Sequence, residues 1–326
     1  MIALIFVLIL VALFPLFFSD SYLAELMLSF LPYIAGIILL CSIIAFVHFK
    51  KRMKPWYHPI RRYFRGISFL VLCLLFFVYS KQFNHFYVST PLPSETESGS
   101  LTILYANIHK DNVQYSEIEQ LISDTNPDLL MFVEFADHHY DHLKDFLKKQ
   151  YPYTNNTTRS KTFVGSMVFS KYPLDNKADD FPQGAWRYGY FSVPYQGQEL
   201  YFYLVHTSSP DSYTHFVMRN EQLKTFVQDF QKHESERKHD NVFVVGDFNI
   251  TPRSSYYALL TAPFSGQLTN VTQHIPFLFT RKLKVAPLFL AHIDHLWVSD
   301  SAMVSSLVPV TIPWSDHKGF LFRLRF

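Results

Sequence analysis

The chain contains two cysteines, Cys41 and Cys73, among 326 residues, and both stand in apolar stretches of the first eighty. Residues 98–326 have none, which excludes a disulfide framework there; a region of that size buries enough core to stand without one. Nor do His109, His138, His139, His292 and His295 show a cysteine partner or a paired helical spacing, so no zinc site is indicated. They read as surface or supporting groups. Basic excess is missing too: residues 98–326 carry 21 Lys plus Arg against 23 Asp plus Glu. That balance disfavours a broad nucleic-acid groove, whose affinity rests on neutralising many phosphates.

Charge is absent from residues 1–19 and 27–49, and a third run, 66–80, is apolar though shorter. Since a helix needs roughly 20 apolar residues to cross the hydrocarbon core, three transmembrane helices are expected within a membrane region 1–81. No basic segment precedes the first run and no small-residue cleavage site follows it, so it reads as retained rather than as a signal peptide. Residues 50–65, KKRMKPWYHPIRRYFR, hold seven Lys or Arg and no acid. The positive-inside rule puts this loop in the cytoplasm. The resulting expectation is a multi-pass integral membrane protein with its catalytic domain on the extracytoplasmic side. A linker, 82–99, joins the membrane region to a globular domain, 100–326.

Within that domain short β-rich runs recur, at 101–106 (LTILYA), 129–133 (LLMFV), 166–170 (SMVFS), 189–193, 200–205 (LYFYLV), 242–245, 293–298 and 319–325. Helical periodicity intervenes at 115–123, 138–149 and 215–233. The mixture predicts an α/β protein, with two packed mixed sheets flanked by helices.

Polar residues terminate these strands: Asn107 in LYANIH, Glu134 in FVEF, His206 in LVHTSS, Asp247 and Asn249 in GDFN, Asp294 in HIDHLW, and Asp316 with His317 in WSDHKG. So many carboxylates, imidazoles and amides at strand ends imply one shared rim. If 247 and 249 lie on an extended strand, their i, i+2 spacing puts both side chains on one face.

In these motifs residues 101–326 resemble the endonuclease/exonuclease/phosphatase superfamily, with GDFN and SDH in the family's order. PDLLMFVE, GSMVFSKYPL and HIDHLWVS are similar to three further family segments. The resemblance implies a four-layered α/β sandwich and a hydrolase that cleaves a phosphodiester or phosphomonoester by in-line water attack. It further implies Mg²⁺ (or Mn²⁺), with Glu134, Asn107 and Asp316 as metal-site residues. Asp247 matches the aspartate that orients or deprotonates water, and Asn249 the amide that holds phosphate. His317 matches the histidine on the scissile phosphate, Asp294 its buried partner, and His206 an acid/base histidine. Two positions depart from the pattern, Val133 for a glutamine and Ala106 for a tryptophan, and neither removes a metal ligand.

Membrane attachment directs the substrate expectation to a phospholipid headgroup at the bilayer surface. Arg281, Lys282 and Lys284, set among apolar residues between GDFN and IDH, are candidate substrate contacts. The alternatives are an extracytoplasmic nuclease on DNA or RNA, and a catalytically silent scaffold on the same fold. Arg187 and Arg219 are further phosphate-clamp candidates, Arg219 reading as structural because it opens a helix.

Overall fold

The computed structural model describes residues 13–15, 17–31, 33–34, 36–37, 40, 44, 99–155, 165–176, 188–237, 240–275, 278–283, 290–300 and 303–326. The chain divides into two compact units, Met1–Tyr87 with Pro252–Ser255, and Val88–Thr251 with Tyr256–Phe326.

In the first unit the helix Tyr22–Ser29 is capped by the Ser21 side chain, which accepts from the Ala24 N–H at 3.2 Å, and carries Glu25 in its first turn. At about 1.5 Å per residue its eight residues reach roughly 12 Å, well short of a ~30 Å hydrocarbon core. The 25-residue helix Tyr213–Arg237 has the length, but Arg219, Glu221, Lys224, Asp229 and Lys232 interrupt it. Among the described residues no helix is long and apolar enough to cross a membrane. This corrects the expectation of a multi-pass membrane protein with an extracytoplasmic domain. The run 66–80, and most of 1–19 and 27–49, lie outside the described residues, as does 82–98 of the expected linker.

Among the described residues the second unit holds two six-stranded sheets. One is built from β1 (Leu101–Asn107), β2 (Leu129–Phe135), β3 (Tyr153–Thr154), β4 (Gly165–Ser170), β13 (Val304–Thr311) and β14 (Lys318–Leu324), in the order β13-β14-β1-β2-β4-β3. The other is built from β5 (Asp175–Asn176), β6 (Tyr188–Tyr195), β7 (Gln198–His206), β8 (Val242–Asp247), β9 (Thr269–Asn270) and β12 (Asp294–Val298), in the order β5-β6-β7-β8-β12-β9. A short hairpin, β10 (Arg281–Lys282) with β11 (Leu290–Ala291), lies between β9 and β12 in sequence. Helices α1 (Tyr115–Thr125) and α2 (Asp137–Gln150) flank the first sheet; α3 (Tyr213–Arg237) and α4 (Ala258–Phe264) flank the second.

Period-two alternation builds these layers. Ile103 and Tyr105 of β1 face inward, meeting Phe202, Leu204, Phe243 and Val245 of the other sheet, while Leu104 and Ala106 turn out toward Ile118, Ile122 and Leu143. On β8, Phe243 and Val245 point inward, and Val242 and Val244 toward Phe226 and Phe230 of α3. Both faces are covered, which is why these strands read as continuous apolar runs. The four-layered sandwich follows.

Each sheet has one parallel pair at its centre, β1 with β2 and β7 with β8. Their chain ends carry Asn107, Glu134, His206 and Asp247. β12 runs antiparallel to β8 with Asp294 opposite Asp247, and β14 runs antiparallel to β1, beginning just after His317. Strand direction therefore brings six polar termini to one edge of the sandwich.

Candidate active site

Glu134 reaches the rim through a local irregularity. Pairing of β2 with β4 shifts register between Phe132 and Phe135, and Glu134 itself has φ 57°. Such a bulge re-aims a side chain, and left-handed backbone at a glutamate costs on the order of 1–3 kcal/mol, offset here by surrounding contacts. Its Oε2 accepts the Lys110 N–H at 2.9 Å and its Oε1 accepts from Asn107 Nδ2 at 3.1 Å. His206 Nε2 stands 3.7 Å from the same Oε1. Burial pushes the carboxyl pKa up, but the Lys110 N–H, the His206 charge and the Asn107 amide outweigh it and bring it to about 2. Glu134 is held anionic.

Asn107, fully buried, links the two sheets: Nδ2 donates to Glu134 Oε1 and, at 3.1 Å, to Asp247 Oδ2. The His109 N–H requires an acceptor and finds Asn107 Oδ1 at 3.0 Å, which fixes the amide's orientation. The nitrogen, not the oxygen, thus faces the carboxylates.

Asp247 ends β8, and Asn249 does not continue the strand. At Asn249 the backbone has φ 49°, and its N–H donates to Asp247 Oδ1 at 2.9 Å. A turn closed by the aspartate, not an extended strand with i, i+2 spacing, sets the conformation here. Gly246 precedes them because a Cβ there would fall 1.9 Å from the Val205 carbonyl oxygen. Burial and the Asp294 charge raise the Asp247 pKa, with His317 and Arg281 opposing.

His317 lies between two aspartates. Its Nδ1 is 3.0 Å from Asp294 Oδ2 and its Nε2 is 3.7 Å from Asp247 Oδ2. Burial alone would lower its pKa; the charges of Asp294 and Asp247 outweigh that and hold it above the ordinary range. Ser315 Oγ pins the loop, accepting the His317 N–H at 3.0 Å and donating to the Asn107 carbonyl at 2.8 Å.

Asn249 Nδ2 donates to the Thr207 carbonyl at 3.0 Å, while its Oδ1 accepts from Arg281 Nη1 at 3.3 Å. Arg281 also donates to Ser209 Oγ at 3.1 Å, and its Nε lies 3.5 Å from Asp316 Oδ2. Asp316 thereby joins the site at the Arg281 edge. Lys282 is exposed, and Lys284 and Arg187 lie outside the described residues. Arg219 does not open its helix, which begins at Tyr213; fully buried, it donates to the Asn249 carbonyl at 2.9 Å and lies over Phe216 and Tyr256. His138 is a supporting group, its Nε2 being 2.7 Å from the Lys110 carbonyl.

Two contributors escaped sequence reading. Tyr105 donates to Asp294 Oδ1 at 2.6 Å, and Thr280 Oγ1 accepts the N–H groups of both Ile293 and Asp294 at 3.0 Å. An apolar strand and a loop threonine carry no motif; only alternation, which turns Tyr105 inward, hinted at the first.

Oxygen donors dominate, and residues 98–326 contain no cysteine, which suits a hard divalent cation. Asp247, Asp294 and His317 each place one ligand atom within 4.8 Å of the others. Both Asp294 oxygens are already engaged, however, by Tyr105 and His317. Glu134 fits better: it is anionic, and its side chain is 21% exposed where that of Asp294 is closed to solvent.

Two mixed sheets packed face to face, with carboxylates, amides and an Asp–His pair gathered at one rim, define an α/β-sandwich hydrolase of the phosphoesterase class. The sequence profile described as the Endonuclease/Exonuclease/phosphatase family matches residues 104–317, and the chain belongs to that family. At the family level it is a hydrolase acting on phosphate esters. Its fold is similar to that of the 3'-5' exonuclease NExo from Neisseria meningitidis, with a TM-score of 0.54 and 17% identity over 69% of this chain and 100% of that one. It is also similar to D. rerio TDP2 complexed with single strand DNA product, with a TM-score of 0.51 and 13% identity over 70% of this chain and 100% of that one. At these identities the likeness is one of fold. No curated protein sequence gives a significant match.

Proposed function

We propose that this chain hydrolyses a phosphate ester by in-line attack of water on phosphorus at the rim formed by Asn107, Glu134, Asp247 and His317. The observation that carries the reading is the Asn107 amide bridging Glu134 and Asp247 from opposite sheets, with the His317–Asp294 pair facing Asp247. Glu134, with Asp316 on the Arg281 side, would hold the cation, Mg²⁺ or Mn²⁺. When bound, such an ion neutralises charge on the non-bridging and leaving oxygens.

Asn107 holds the two carboxylates in place rather than offering its oxygen. Asp247, whose pKa burial raises, takes the proton of the attacking water. His317, kept protonated by two aspartates, faces the developing charge on the phosphate. Asn249 and Arg281 bind a non-bridging oxygen, and His206 steadies Glu134 and stands in reach of proton transfer. The preference for a lipid headgroup rested on membrane attachment and goes with it. One phosphate is gripped by a few groups in a domain of acidic balance, so a phosphoester recognised at a single phosphate is favoured over a long polyanion.

The test is hydrolysis of bis(p-nitrophenyl) phosphate by the full chain. Activity should require Mg²⁺ or Mn²⁺, vanish with EDTA and change little between about 50 and 200 mM salt, where polyanion binding falls steeply. A metal-independent rate would overturn the reading. Arg281→Ala should raise KM more than it lowers kcat.

A further inference from the structure

Asp294 has two carboxylate oxygens and no access to water, and each oxygen has one partner in the described structure. Oδ2 meets His317 Nδ1 at 3.0 Å, whereas Oδ1 accepts the Tyr105 hydroxyl at 2.6 Å. Both partners come from the side of the first sheet, Tyr105 from β1 and His317 from just before the neighbouring β14. Tyr105 belongs to β1 of the first sheet and Asp294 to β12 of the second, so the hydroxyl spans the space between the sheets. Its ring is fixed by packing on Phe320, centroids 5.8 Å apart, and by complete burial. The Asp294 backbone is fixed as well, its N–H bonded to Thr280 Oγ1.

We propose that Tyr105 is a positioning residue for the His317 imidazole, acting through Asp294. The inference rests on the reading of His317 as the group that faces the phosphate. A buried carboxylate with a single partner can rotate about its Cβ–Cγ bond to follow that partner. With one oxygen held by a rigid phenol, the carboxylate plane is fixed, and with it the direction in which His317 Nδ1 is held. His317 Nε2 then points toward Asp247 and the phosphate position. The same bond ties the two halves of the site together, because Asn107 and Tyr105 come from one sheet while Asp247 and Asp294 come from the other. A charge-assisted bond of this length belongs to the strong class, and losing its donor leaves a buried oxygen unsatisfied.

The test is Tyr105→Phe in the full chain, which keeps the ring on Phe320 and deletes only the hydroxyl. On bis(p-nitrophenyl) phosphate with Mg²⁺, kcat should fall about tenfold while KM stays within about twofold. In an Asp294→Asn background the same change should cost less than about twofold, because the route is then already broken. A readout independent of activity is the downfield His317 imidazole N–H proton resonance, assigned by its loss in His317→Ala; it should shift in Tyr105→Phe without metal. Should that variant fail to fold, 3-fluorotyrosine at position 105, a stronger donor, should move the resonance the other way. Wild-type kcat with an unmoved resonance, or equal losses in both backgrounds, would overturn the proposal. Full activity in Tyr105→Phe beside a dead Asp247→Ala would overturn this inference alone. A wild-type chain without metal-dependent hydrolysis would overturn the function, and the resonance would still decide the positioning.

Discussion

Acidification to pH 4.5 should destabilise the second unit through His295, and the cost can be worked from its contacts. His295 is fully buried; its Nε2 lies 2.9 Å from the Ile250 carbonyl and its Nδ1 3.1 Å from Asn270 Nδ2. The carbonyl requires Nε2 to be the donor and the amide requires Nδ1 to be the acceptor, so the neutral ring is fully satisfied. A second proton would set Nδ1–H against N–H. Burial accordingly lowers the pKa from 6.5 to about 4, against the pull of the Ile250 carbonyl. A histidine with a depressed folded pKa contributes stability that is complete above the unfolded value and lost as pH falls from 6.5 toward 4. At pH 4.5 the unfolded chain is nearly fully protonated at this site and the folded one about a quarter so, giving a loss of roughly 2–3 kcal/mol. Urea unfolding at pH 7 and pH 4.5 measures it, with His295→Gln as the comparison. His139, also driven to about 4 by burial, titrates in the same window in both proteins. The wild type should therefore lose about 2–3 kcal/mol more than the variant. Equal losses would refute the protonation argument.

Gly246→Ala should separate β7 from β8, since the new Cβ meets the Val205 carbonyl at 1.9 Å; a drop of several degrees in Tm or insoluble expression is expected, and a wild-type melting curve would contradict it. Glu134→Gln keeps the shape but removes the anionic charge, so titration with Mg²⁺ should no longer raise activity; a normal metal response would shift the ligand assignment away from Glu134. Arg219→Met leaves the Asn249 carbonyl without its buried donor and should lower both stability, by about 1–3 kcal/mol, and kcat, read by urea melts and by hydrolysis.

The rim was legible in sequence because a strand that is apolar on both faces must stop where a charged side chain begins. LYAN, FVE, LVH and GDFN each mark such a stop, and these four termini converge. Strand direction supplied the rest, since β12 and β14 run opposite to their neighbours and present their beginnings at the same edge. Helices 115–123, 138–149 and 215–233 were placed nearly at their observed limits.

What sequence reading missed is non-local or conformational. β13 was passed over because Ser305, Ser306 and Pro309 break its pattern, which an edge strand tolerates. The bulge at Glu134 and the turn at Asn249 are set by left-handed backbone at residues other than glycine, which no spacing rule announces. The Tyr105–Asp294 bond joins residues 189 positions apart. The membrane expectation rested on hydropathy, which counts apolar residues; among the described residues no helix is long and apolar enough to cross a bilayer.

The central claim is that Asp247, held between Asn107 and Asn249, takes the proton of a water that attacks phosphorus with a divalent cation in place. Its most direct measurement is kcat on bis(p-nitrophenyl) phosphate in saturating Mg²⁺ for the wild type and for Asp247→Asn, which keeps the size and most hydrogen bonds but loses the base. A general base contributes about 10²–10⁴-fold, so a fall of at least 100-fold with unchanged folding is predicted. Activity within about threefold of wild type would contradict the account.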